Sequence, residues 1–398
     1  MTELLSMFVV SDLHCIGPSE VDNRSDSLLH LPASAGLLRT PFNALLRLVE
    51  DQAISADVLL CCGDLTNRSA AEGFELGWAE LEALASALDA TSILFTPGNH
   101  DVDVYDLNGV ADPYSTIAAA KRSPDRIAKP STSHCLLVDG FEIYGADQYR
   151  IVNVDTNGRD PVARRGKTGH LDLETIDALE AQLGRMSSVD CYLLICHHHP
   201  HRHGDIDADD YSEFANAPEL FAMIDRLPDA AWYMVHGHKH YPRIGVVNST
   251  TTVFSAGSFS GSFYGPQQGV ARNQCYSLRL VRDASLGTAH PPVIEFRAWD
   301  WAAVRWIPAL DGFNIPRFGG FGARVVTNQY AGRIASHVKA SSGQRCSGSE
   351  LARKFPELRY LPPQDILRCV NTLESTHDIE VLISKQTGEW RELGLRAS

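Results

Sequence analysis

Short apolar runs recur along the first three hundred residues, and most end in a polar break. LLSMFVVSD, ADVLLCCGD, TSILFTPGN, FEIYGADQY, YRIVNVDT, CYLLICHH and AWYMVHGH read as strands. Several are apolar throughout, as strands buried on both faces are. Between them FNALLRLVEDQAI, GFELGWAELEALASAL and LDLETIDALEAQL repeat apolar residues at three and four, the helical period. This alternation predicts an α/β unit. TTTVFSAGSFSG, CYSLRLVRD and PVIEFRAWDW follow with no helix between them, which predicts a second sheet packed on the first. Residues 102–134 break the rhythm with Asp, Gly and Pro and are expected to form an insertion or lid.

The Pro- and Gly-rich passage 306–322 is expected to link residues 1–305 to a small unit at 323–398. Helical patterns near 328–340, 348–355 and 363–375 precede IEVLISKQTGEWRELG, which reads as a hairpin turning at Thr387 and Gly388. Ala331, Ile334, Ala335 and Val338 share one face of the first pattern, and Pro362 and Pro363 suit the start of the third. Helix, helix, helix, hairpin is the order of a winged helix, an α+β arrangement.

Composition narrows the class. Apolar residues at 44% and charged residues at 21% belong to a folded globular protein, and no run of about 20 apolar residues could span a bilayer. MTELLSMFVVSDLHC reaches Asp12 and His14 too soon for the apolar core of a signal peptide. Nine cysteines, an odd number without CxxC spacing, fit a reducing compartment, with the cytoplasm as the default. A net charge of −14 argues against a generally adhesive nucleic-acid binder, but the charge is uneven. Residues 302–398 carry 13 Lys and Arg against 9 Asp and Glu, and residues 1–301 carry 22 against 40. In a winged helix, Gln364, Arg368 and Asn371, with Arg353 and Lys354, would be candidates for nucleic-acid contact. Packing on the large unit, or homo-oligomerisation, is the alternative use of the small one.

Five strand endings carry groups that can bind a metal: Asp12 and His14, Asp64, then Asn99, His100 and Asp101, and finally the HHHP and GHKH segments. Ten of the sixteen histidines lie in or beside these segments. Strand ends converge at one edge of an α/β sheet, so residues distant in sequence can meet there. Asp12 and His14, like His238 and His240, are two apart, so extended backbone would aim each pair to one side. Glycines 63, 98 and 237 precede Asp64, Asn99 and His238, where the chain must turn. Oxygen and imidazole donors without thiolate suit Mn²⁺, Fe, Zn²⁺ or Ni²⁺ and disfavour a structural zinc site.

These segments, in this order, resemble the five motifs of the calcineurin-like metallophosphoesterases, D-x-H, G-D, G-N-H, H-x-P and G-H-x-H, over residues 12–240. The resemblance implies a two-layer β-sandwich flanked by helices, with two divalent metal ions at its edge. It implies that Asp12, His14, Asp64 and His240 hold the first metal, and that Asp64 bridges to a second completed by Asn99, His198 and His238. His198 is the residue two before Pro200, and His197 is the alternative. The implied activity is hydrolysis of phosphate esters by a metal-bridged hydroxide, with His100 acting on the scissile phosphate and Asp101 behind it. His236 is expected to support the site from within its strand, and Asn67 and Arg68 are candidates for substrate phosphate. GNHD in place of GNHE, and GDLTNRS in place of GDxxDRG, separate the chain from the phosphoprotein phosphatases. They point to the phosphodiesterase branch, with Mn²⁺ the first expectation and small nucleotide-type diesters the expected substrates. A nuclease guided by the C-terminal unit is the alternative, and a phosphomonoesterase or non-catalytic scaffold a further one.

Overall fold

The structure, a computed structural model, describes residues 1–20, 27–29, 40–103, 112–120, 127–158, 168–202, 212–227, 230–248, 251–263, 269–310, 315–383 and 390–395. His203, the expected turn at Thr387 and Gly388, and parts of the 102–134 insertion lie outside these residues.

The large unit begins with β1 Thr2–Val10, α1 Pro41–Gln52, β2 Val58–Cys61, α2 Ala71–Ala87 and β3 Ser92–Phe95. Next come α3 Ser115–Ala119, α4 Leu136–Asp139, β4 Phe141–Gly145, β5 Tyr149–Val154, α5 Leu173–Leu183, β6 Cys191–Ile195, α6 Ala217–Arg226 and β7 Ala231–His236. It ends with β8 Arg243–Val246, β9 Thr251–Ser255, β10 Gln274–Arg282, β11 Val293–Trp301, β12 Trp306–Pro308 and β13 Phe318–Phe321. One sheet runs β12-β11-β10-β1-β2-β3 with β13 also on β11, and the other runs β4-β5-β6-β7-β9-β8. β1, β2 and β3 are mutually parallel, as are β5, β6, β7 and β9, so the carboxyl ends within each set share an edge.

The two sheets face each other through one apolar layer. Met7, Val9, Leu60 and Leu278 of the first sheet meet Leu193, Ile195, Tyr233, Val235 and Phe254 of the second. The alternate residues of the same strands point outward, Phe8 and Val10 onto α1 and α2, and Val152 and Leu194 onto α5 and α6. Strands buried on both faces must be apolar at every position, which is why these runs lack polar alternation. Sequence spacing also explains the helices: Leu45, Leu48 and Val49 of α1 point into the core, and Thr40 caps its first turn by accepting from Asn43 N at 3.2 Å.

The passage 306–322, expected as a linker, carries β12 and β13, both paired antiparallel to β11. Its glycines serve close packing: a Cβ on Gly319 would overlap the Phe296 ring, and one on Gly320 the Tyr360 ring and the Arg359 carbonyl. The described parts of the 102–134 insertion lie against the body. Val102, Tyr114, Ile117 and Ala128 are buried there, and Ala128 N donates to Ile93 O.

The C-terminal unit comprises α7 Thr327–Ala340, β14 Arg345–Ser347, α8 Gly348–Lys354, α9 Pro363–Thr376, β15 Ile379–Ile383 and β16 Trp390–Leu395. β14, β16 and β15 form a three-stranded sheet in that order, giving a winged helix with α9 in the third-helix position. It sits on the large unit. The Tyr360 hydroxyl donates to Asp283 at 2.9 Å, with Glu295 3.3 Å away, and Ala323 N donates to Tyr360 O.

Candidate metal centre

The loops that follow β1, β2, β3, β6 and β7 deliver the candidate donors to one place. The backbone there is not the extended chain expected from the two-residue spacing. Asp12, His14, Asp64, His238 and His240 all have φ between 51° and 73°. In this left-handed region a residue with a side chain costs roughly 1–2 kcal/mol. Backbone bonds between the loops hold the strain: Asp12 N donates to Gly63 O at 2.9 Å, and His14 N to Asp64 O at 2.9 Å. Gly98 leaves room for a close approach, since a Cβ there would overlap the Asp64 carboxylate.

Two donor groups result. In the first, Asp12, His14 and His240 place one donor atom each within 4.8 Å of one another. His240 Nε2 stands 3.4 Å from Asp12 Oδ1 and 3.1 Å from His14 Nε2. In the second, Asp64, His197 and His238 converge. His197 Nε2 is 3.3 Å from Asp64 Oδ2 and 3.3 Å from His238 Nδ1, which is itself 3.0 Å from Asn99 Oδ1. Asp64 Oδ2 also lies 3.9 Å from His14 Nε2, so one carboxylate stands between both groups.

Ring nitrogens meeting one another at 3.1–3.3 Å beside carboxylates form a poor hydrogen-bond network, because a facing pair can share only one proton. As a coordination set of carboxylate, amide oxygen and imidazole the same atoms are well matched to divalent cations. The residues present therefore fit a two-metal centre. Burial keeps most of the rings neutral and ready to donate a lone pair: it lowers His14 to about 3 and drives His198 and His238 well below the ordinary histidine value. His197 is the exception. Burial acts to lower it, and the Asp64 carboxylate overrides this and raises it to about 9. Burial likewise opposes ionisation of Asp12 and Asp64, and the His240 and His197 imidazoles respectively pull both carboxyls below the usual range.

His198 belongs to neither group. Its Nδ1 stands 2.9 Å from Thr156 Oγ1, its backbone N donates to the same oxygen, and its Nε2 has no hydrogen-bond partner among the described residues. His198 was chosen by counting two residues back from Pro200; the strand stops at Ile195, so the direction of each ring in 197–199 is set by the loop and not by that count. Thr156 itself was legible, since VNVDTN is another apolar strand ending in polar residues.

His100 is half-buried, with one ring nitrogen within 4.8 Å of donors on His14 and Asp64. Its Nδ1 lies 3.0 Å from Asn67 Oδ1 and 3.4 Å from Arg68 N, and burial lowers its pKa. Asn67 is thus buried behind His100, and Arg68 is exposed beside it. Asp101 accepts from Thr66 N and Gly98 N, each at 2.9 Å, tying the loop of Asp64 to that of Asn99 rather than touching His100. Its burial, with Asp64 nearby, pushes it up to about 8. His236 ends β7 fully buried, its Nδ1 3.0 Å from Gly237 O.

Comparison with known families places residues 5–242 under the model for calcineurin-like phosphoesterase, and residues 319–375 under a winged helix-turn-helix model, wHTH-Calcineurin_assc. Among solved structures, a dimetal phosphatase from Danio rerio is similar at 13% identity and TM-score 0.46, covering 77% of this chain and 98% of that one. A purple acid phosphatase from yellow lupin is similar at 12% identity and TM-score 0.49, over 75% of this chain and 52% of that one. A phosphopantetheinyl hydrolase from Mycobacterium tuberculosis is similar at 12% identity and TM-score 0.33, over 65% and 91%. No curated protein matches the chain.

Proposed function

We propose, for a chain that belongs to the calcineurin-like phosphoesterase family, that it hydrolyses phosphodiesters at a two-metal centre, with small nucleotide-type diesters as the preferred class. One observation carries the reading: the Asp64 carboxylate stands between Asp12, His14 and His240 on one side and Asn99, His197 and His238 on the other. We assign these seven residues as ligands, with His197 in the position first given to His198. Two divalent ions held there, Mn²⁺ first among candidates for oxygen and imidazole donors, would supply an activated water and neutralise phosphoryl charge.

The chain's own residues do the rest. Asn67 fixes His100 beside the donor cluster, where the ring can hydrogen-bond an oxygen of the bound ester. Because burial keeps that ring neutral, it acts as an N–H donor before it acts as an acid. Arg68, exposed on the same loop, would meet the rest of the ester. GNHD and GDLTNRS favour a diester over a phosphoprotein. Nine free cysteines, eight of them buried, support a reducing compartment, the cytoplasm by preference, and no described helix is long and apolar enough to cross a membrane.

Turnover of bis(p-nitrophenyl) phosphate, beside its monoester, cyclic nucleotides and single- and double-stranded DNA, tests the reading. Chelation should abolish diester turnover and Mn²⁺ restore it. Monoester turnover exceeding diester turnover would overturn the diester assignment. The winged helix supports a second reading, a nuclease guided by α9, which exposes Arg368 and Asn371. Preference for DNA in the same panel would select it.

A further inference from the structure

Another donor group lies in the winged helix, away from the centre described above. His337 in the last turn of α7, Cys346 in β14 and Glu350 in the first turn of α8 place one donor atom each within 4.8 Å of one another. Three separate elements contribute, so the meeting is a product of the tertiary fold. Cys346 points inward among Val338, Leu351 and Phe355 and is 2% exposed. Ser347 caps α8 by accepting from Glu350 N at 3.3 Å, while the Glu350 carboxylate faces the other two residues.

The geometry is that of ligands more than of an ion pair. His337 Nε2 lies 3.5 Å from Glu350 Oε1, yet this buried nitrogen has no hydrogen-bond partner among the described residues. Zinc takes nitrogen and oxygen at about 2.0–2.2 Å and sulfur at about 2.3 Å, which sets donors on a tetrahedron roughly 3.3–3.6 Å apart. One thiol, one imidazole and one carboxylate form a mixed set that selects zinc over Mn²⁺, Mg²⁺ or Ca²⁺. The centre near Asp64 has no thiolate.

We infer that His337, Cys346 and Glu350 bind a single Zn²⁺ ion, with water in the fourth position. Water can enter beside Glu350, whose side chain is 40% exposed. Cys346 binds as the thiolate, and its proton leaves to solvent. The ion ties the end of α7 to β14 and to the start of α8, at the corner from which the wing strands extend.

Cobalt substitution of the full chain tests this, because a thiolate-to-cobalt charge-transfer band in the near ultraviolet reports sulfur ligation alone. The band is expected in the parent and in Asp64→Asn, and is expected to vanish in Cys346→Ser. His337→Gln, at a partly exposed position less prone to disturb folding, should weaken cobalt binding at least tenfold. Zinc content should fall by one equivalent in Cys346→Ser while diester turnover stays as in the parent. A parent without the band, or a band that survives Cys346→Ser, would overturn the site. The band is independent of hydrolysis, so failure of the phosphodiesterase reading and failure of this one are separately visible.

Discussion

At the scale of single residues, the histidine cluster after β6 gives the sharpest test. His197 Nε2 faces Asp64 and His238, while His198 is turned to Thr156. His197→Ala is therefore expected to lose about one metal equivalent and at least a hundredfold in diester turnover, with His198→Ala retaining both metals. Metal analysis beside kinetics reads the difference, and the reverse pattern would return the ligand to His198. His100 contributes through substrate, so His100→Ala should keep its metals and lose roughly 10²–10⁴ in rate, the range for a positioned proton donor. Unchanged turnover in that variant would remove its role. Asp12, His14, Asp64, Asn99, His238 and His240 could be singled out as candidates because each lies in the polar break just after an apolar strand. The choice between adjacent imidazoles was not legible, because it depends on backbone torsions beyond the strand, and spacing is silent about those.

At the scale of elements, legibility followed apolar pattern and failed where one residue type serves two purposes. The fully apolar strands and the helices at 42–54, 73–88 and 171–183 announced themselves by period. β12 and β13 did not, since Gly319 and Gly320 look identical in sequence whether they loosen a linker or let Phe296 and Tyr360 pack close. α6 was legible in principle: Leu220, Phe221, Met223 and Ile224 follow a proline at its start. The junction made by Tyr360 gives a prediction at this scale. Removing its hydroxyl as Tyr360→Phe leaves Asp283 short of a donor, and should cost about 1–2 kcal/mol in denaturation of the full chain. Burial would raise the Asp283 carboxyl, and bonds from Ser285 and Tyr360 with Arg359 nearby bring it below the usual value instead. A depressed carboxyl stabilises the fold above its unfolded pKa of about 3.9 and loses that contribution as pH falls through the folded value. The stability gap between parent and Asp283→Asn should thus hold steady from neutral pH to about pH 5 and narrow below about pH 4. A gap that widened on acidification would refute the linkage.

At the scale of the whole molecule, the uneven charge of the chain finds a use in its own architecture. The large unit is strongly acidic and the winged helix mildly basic. Arg359 stands 3.7 Å from Asp283 and 3.4 Å from Glu295, so part of the basic excess is spent across the junction. On α9, Arg368 is 3.3 Å from Asp365 of the same helix, and Glu374 lies one turn and a half further on. Arg353 and Lys354 at the end of α8, and Arg333 on α7, which packs on α9, are further exposed cations of the winged helix. Binding of duplex DNA lowers log K by about 0.9 per neutralised phosphate for each decade of salt, so two or three contacts predict a slope of roughly −2 to −3. A winged helix that guides a nuclease through many phosphates would give a far steeper dependence. The acidic large unit adds repulsion that grows as salt is diluted, which flattens the slope further. Fluorescence anisotropy of the full chain with duplex DNA across a salt series reads this directly. A slope shallower than about −3 assigns the winged helix to packing and metal binding, and a slope near −6 or beyond would make nucleic acid the partner after all.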